Sequence, residues 1–142
     1  MRCYAKDIRG GAATPVTPDD VSQALLASDD RTLLIRRTSG AVQMMMIGGG
    51  APADAKGFDL NDELLVWTPD RTGVIVAKLD QIPAPIDRVD PLTGKRTRLK
   101  ELAPADRTGV LQMGSVQWLP DGGYAYSFKR DLSQIFVVRG VR

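Results

Sequence analysis

A strand–turn–strand unit that the chain repeats constrains its fold more than any other feature. In the copy from Val116 to Val138, short apolar or aromatic runs are separated by Pro120-Asp121-Gly122-Gly123 and by Asp131-Leu132-Ser133. Pro, Asp, Gly and Ser favour turns because they pre-set φ, bond nearby backbone or tolerate φ > 0, so the run reads as three strands and two tight turns. The first turn recurs as Leu26-Ala27-Ser28-Asp29, Trp67-Thr68-Pro69-Asp70 and Trp118-Leu119-Pro120-Asp121. A second strand follows each (residues 33–37, 74–79 and 124–129), then a third (residues 42–47, 86–90 and 134–138).

Asp29 to Asp70 is 41 residues and Asp70 to Asp121 is 51. A period of roughly 40–45 residues built from four short strands is that of propeller blades, small antiparallel sheets whose faces are covered only by neighbouring blades. The expectation is an all-β fold, a β-propeller fragment of about three four-stranded antiparallel blades forming one domain over residues 1–142. Residues 1–22 end a preceding blade, since Cys3 to Gly11 parallels Val42 to Gly50. Residues 23–58 form a first blade, 59–113 a second with an insertion at 103–113, and 114–142 an incomplete last one. Trp67 and Trp118 hold matching places and read as wedges between sheets. Pro69-Asp70 and Pro120-Asp121 read as turn chemistry, not as catalytic carboxylates.

Composition excludes several functions. The chain has no histidine, so neither a Ser-His-Asp nor a Cys-His arrangement exists within it, and no Gly-x-Ser-x-Gly elbow is present. A net charge of +2 calls for neither nucleic acid nor a membrane surface as partner. One cysteine, Cys3, cannot form an internal disulfide and leaves the compartment open. No apolar run reaches the roughly 18 residues of a spanning helix, and the first residues lack a signal-peptide core.

Locally, residues 2–8 read as a first strand and residue 23 onward as an inner strand. Leu33-Leu34-Ile35 reads as a strand covered on both faces, with Arg36-Arg37 ending it at the solvent. Met44-Met45-Met46 reads as a buried third strand, and Gly48-Gly49-Gly50 as a turn rather than a phosphate loop, because no Lys-Ser/Thr follows it. Asp59, Asn61 and Glu63 loosely evoke a calcium loop, but Leu64 stands where that loop needs glycine, which leaves a solvated connection. Asp87 and Asp90 read as lying in or near a turn, where solubility and capping explain them. Arg96, Arg98 and Lys100 share one face by the period of two, as an edge-protecting basic stripe. In the insertion, Pro104, Asp106 and Arg107 make the candidate binding loop, because insertions on repeat scaffolds tend to carry binding.

Three stretches resemble a known group: Ile86-Asp87-Arg88-Val89-Asp90-Pro91-Leu92-Thr93-Gly94-Lys95, Lys100 to Val110 (Lys-Glu-Leu-Ala-Pro-Ala-Asp-Arg-Thr-Gly-Val), and Pro120 to Arg130 (Pro-Asp-Gly-Gly-Tyr-Ala-Tyr-Ser-Phe-Lys-Arg). They resemble six-bladed propellers of the TolB and WD40-like type, and more closely the C-terminal propeller of bacterial eukaryotic-like serine/threonine protein kinases. The similarity is specific from about Leu65 onward. The chain departs from it in carrying no Gly-rich loop with a strand lysine, no His-Arg-Asp and no Asp-Phe-Gly, and about half the family's blades. No kinase activity carries over; the resemblance implies a piece of a sensing or protein-binding propeller.

The expected function is therefore a non-catalytic interaction or sensory module that binds a protein or small ligand, without cofactor or metal. The alternative is the substrate-gating propeller of an enzyme, such as a prolyl-oligopeptidase-like hydrolase, whose catalytic domain lies elsewhere. Open sheet edges point to self-association, with two copies closing six blades.

Overall fold

The apolar runs become strands in the computed structural model, which describes residues 1–119 and 122–140. β1 (Tyr4–Ala5) pairs with β2 (Thr14–Pro15). β3 (Val21–Leu26), β4 (Thr32–Arg37), β5 (Val42–Met46) and β6 (Gly49–Asp54) form an antiparallel meander of four strands. A second meander holds β7 (Glu63–Trp67), β8 (Val74–Ala77), β9 (Ala84–Val89) and β10 (Arg96–Leu102). β11 (Val110–Trp118) and β12 (Tyr124–Arg130) pair alone. Among the described residues the chain is all-β, with no helix, and has the sheet pattern of a propeller-like fragment. Among the described residues no helix is long and apolar enough to cross a membrane.

The sheets stack because their middle strands are apolar on both faces. In β4, Leu34 meets Val74, Val76 and Val89 of the second sheet, whereas Leu33 and Ile35 meet Val21, with Val16 of the N-terminal segment packed beside them. All four residues of β8 are buried: Val74 and Val76 face the first sheet, Ile75 and Ala77 face Met113 and Val116 of β11. A continuous apolar run is what a strand buried on both sides requires.

Five sequence expectations change. The first strand shrinks from residues 2–8 to Tyr4–Ala5, which among the described residues pairs only with β2. Met44 and Met45 are half-buried and Met46 is exposed, so β5 is less buried than its composition suggests. Arg36 does not end β4 in solvent but is buried, its guanidinium donating to the carbonyls of Asp59 (3.1 Å) and Asp62 (2.8 Å) and so pinning the connection before β7. Of the insertion expected at 103–113, the connection at residues 103–109 is no longer than its counterpart at 55–62. The extra length sits in the β9–β10 turn (residues 90–95, against 47–48 in the first sheet) and in β11, where two register shifts absorb added residues. Residues 134–138 form no strand. Because the Asp131 N–H is held by the Gly109 carbonyl, only Leu132-Ser133 is left to turn the chain back onto β12, and neither residue favours φ > 0.

β11 and β12 present unlike faces. Met113, Val116, Trp118 and Tyr126 turn to the second sheet, whereas Ser115, Gln117, Ala125 and Ser127 are exposed. Antiparallel sheets take this form when one side meets water. Closure into six blades would set that polar face against another blade.

Gly109, just before β11, sits at φ 69°, and its carbonyl accepts the Asp131 N–H at 2.9 Å. A Cβ there would overlap the Asp131 carbonyl oxygen. Gly109→Ala is expected to destabilise the protein by more than about 1 kcal/mol, seen as a lower urea midpoint. An unchanged midpoint would mean that the β11–β12 junction is not closed as described.

Candidate functional site

The inner strands β3 and β7 each end in a turn held by an aspartate. After β3, the Asp29 carboxylate accepts the N–H groups of Arg31 (2.9 Å) and Thr32 (2.8 Å) and the Thr32 hydroxyl (2.7 Å). After β7, Asp70 accepts the hydroxyls of Thr68 (2.5 Å) and Thr72 (2.6 Å) and the Thr72 N–H (3.1 Å). The next residue in each turn, Asp30 or Arg71, is left-handed, at φ 56° and 59°. The third turn's Pro120 and Asp121 lie outside the described residues.

The same bonds depress acidity. The Thr32 N–H holds the Asp29 carboxyl well below the usual carboxylate range, and the Thr68 hydroxyl, followed by Thr72, takes Asp70 down to about 2. Asp90 is lowered by the Thr93 N–H and Asp106 by the Thr108 N–H. A carboxyl whose folded pKa lies below its unfolded value of about 3.9 stabilises the fold above that pH and stops doing so as pH falls through the folded value. The melting temperature is therefore expected to hold from pH 7 to 5 and to drop between about pH 4 and 2; a flat profile across that window would rule these turns out as a source of stability.

Trp67 closes β7 and lies between the two four-stranded sheets, 7 % exposed, its indole N–H donating to the Leu25 carbonyl at 3.3 Å. Two clefts open on either side of it. One, of about 570 Å³, has Ala27, Met44 and Trp67 in its wall and Asp29, Asp70 and Arg71 at its rim, with the β9–β10 turn closing its outer end. The other, of about 540 Å³, is apolar: Val66, Trp67, Pro69, Ile75, Trp118 and Leu119 line it where β11–β12 meets the second sheet. Trp118 is half-buried there and stacks on Tyr124 with centroids 5.9 Å apart. Lys100 Nζ lies 4.2 Å from the Tyr124 centroid and 5.6 Å from that of Trp118.

The loop singled out from sequence stands at the other end of β11 from this site. Pro104 is buried. Asp106 accepts the Thr108 N–H at 2.9 Å and pairs with Arg130 at 3.3 Å, and the Tyr126 hydroxyl donates to Ala103 O at 3.1 Å. Arg107 is exposed. The loop is braced on β12 through Asp106 and Ala103, which leaves Arg107 as its outward-facing charge.

Arg96, Arg98 and Lys100 do not form one stripe. A bulge between Arg98 and Lys100 turns Lys100 to the aromatic side, while Arg96 and Arg98 turn to Asp87 on the opposite face. Asp87 lies within β9 and is buried, so it is paired inside the fold rather than kept for solubility. The residues that evoked a calcium loop disperse: Asp59 pairs with Lys78 (2.6 Å), Asn61 donates to Asp80 (2.7 Å) and Glu63 accepts from Gln23 (2.8 Å). Among the described residues no three metal-ligating side chains gather.

Sequence reading missed the charged group of Arg36, Asp62, Asp87 and Arg96 between the sheets. Its one local signal was Asp87 inside the apolar alternation Ile86-Asp87-Arg88-Val89. No protein-family model matches the chain, and a search of curated proteins finds no significant match.

Proposed function

We propose that the chain is a non-catalytic interaction module, propeller-like and akin to the sensory propellers of bacterial kinases, that binds a protein segment or small ligand on the rim formed by the turns after β3, β7 and β11. The supporting observation is the pair of clefts sharing Trp67, one apolar and one edged by Asp29, Asp70 and Arg71. Binding sites of this kind combine an apolar wall with a few polar groups that fix orientation. Without histidine, neither a Ser-His-Asp nor a Cys-His centre can be assembled from this chain, which favours binding over catalysis. Self-association belongs to this reading too, at the strand edges at the chain's ends rather than at the rim.

The test is a displayed peptide library selected on the immobilised protein, with binders re-measured on two variants. Trp118→Ala is expected to weaken them at least about tenfold, the effect of a buried aromatic anchor, and Arg107→Ala to leave them unchanged. The reverse pattern would place binding on the 103–109 loop and overturn the assignment to the rim.

A further inference from the structure

We infer that residues 134–138 are a donor strand for a second copy of this chain, which they join by pairing with the free edge of its β12. Ile135, Phe136, Val137 and Val138 are 92, 81, 77 and 76 % exposed in succession, and Leu132 is 70 % exposed. Four consecutive strand-forming residues in water are a ready partner for a sheet edge. Such an edge lies close by: among the described residues β12 pairs only with β11, while the two central sheets hold four strands each. Tyr124 and Phe128 on β12 are 38 and 40 % exposed and gain cover from a strand laid beside them.

Turn chemistry separates pairing within one chain from pairing between two. The Asp131 N–H is held by Gly109 O at 2.9 Å, so β12 stays in register with β11 through Asp131. Only Leu132-Ser133 then remains to reverse the chain before Gln134. Two-residue hairpins need φ > 0 at one or both positions, which Asn-Gly or Gly-X supplies and Leu-Ser does not; a three-residue loop also wants glycine at its left-handed position. A hinge too short and ill-suited to fold back favours exchange between chains. Each chain has one donor segment and one acceptor edge at the same end, so a two-fold axis satisfies both at once. This assembly leaves the polar face of Ser115, Gln117 and Ser127 in water, unlike a six-bladed ring.

Light scattering on the full chain across a concentration series tests the inference, with three variants beside it. The wild type is expected at about twice 15.4 kDa at the upper concentrations. Phe136→Pro and Val137→Pro each remove one N–H from adjacent positions that face opposite ways, so at least one is expected to be monomeric throughout while its circular dichroism and melting temperature match the wild-type monomer. The double variant L132N/S133G supplies the missing turn and is expected to be monomeric with the segment folded back on its own β12. A wild type that stays monomeric overturns the inference, as does a dimer that survives both prolines or the Asn-Gly turn.

Discussion

Arg96→Ala is expected to lower the unfolding free energy by about 3–5 kcal/mol, the effect of removing one partner from a buried ion pair. From β10 its guanidinium donates to both oxygens of Asp62 (2.5 and 3.2 Å), to Asp87 Oδ2 (3.0 Å) and to the Gly57 carbonyl (2.9 Å). Gly57 and Asp62 both lie in the connection at residues 55–62 and Asp87 lies in β9, so one side chain of β10 ties that connection and β9 together. The Asp62 side chain is fully buried and that of Asp87 is 5 % exposed. Arg98 remains for Asp87, but among the described residues no cation other than Arg96 forms an ion pair with the Asp62 carboxylate. The Asp62 carboxylate also raises the Arg96 pKa, so the guanidinium stays charged across the pH range of any stability measurement. Urea denaturation of Arg96→Ala checks this; a loss below about 1 kcal/mol, the size expected of an exposed pair, would mean that the group is solvated. Arg96→Lys is expected to recover part of the loss only, because an ammonium cannot span both carboxylates and the Gly57 carbonyl.

Trp67→Ala is expected to cost about 3–5 kcal/mol, as large-to-small changes at buried aromatics do. The indole packs among Ala27, Leu34 and Val74, and its loss removes the wall common to both clefts and leaves the Leu25 carbonyl without its donor. Trp118→Ala is expected to be the milder change, since Trp118 is half-buried against a two-stranded sheet. Denaturant midpoints of the two variants give the comparison directly. Equal losses would mean that β11–β12 is as firmly packed as the central pair of sheets.

Local patterns carried much of the fold. Leu33-Leu34-Ile35 and the run Val74-Ile75-Val76-Ala77 are continuous apolar stretches, and they became the buried β4 and β8. Asp29, Asp70 and Asp90 sit in turns whose N–H groups they accept, as Asp in such turns does. What sequence did not disclose depends on partners far along the chain. Arg36 looks like a strand end until the connection at residues 59–62 folds over it with three carbonyls. Lys100 shares a parity with Arg96 and Arg98, and the period of two holds until a bulge breaks it. The 103–113 stretch looked like added length because a step between turns shows how many residues intervene, not which element holds them. For the site, Trp67 was legible as a wedge, whereas the clefts on its two sides arise only once three sheets are placed together.

The proposal that the rim binds is tested most directly by the amide and indole NMR spectrum of the labelled protein, titrated with a library of small fragments and short peptides. With only Trp67 and Trp118 in the sequence, the two indole signals report on the clefts without ambiguity. The expected result is that ligands shift the Trp118 indole together with amides of Asp70, Arg71, Ile75 and Leu119. Ligands that shift residues 103–109 and leave both indoles unmoved would contradict it.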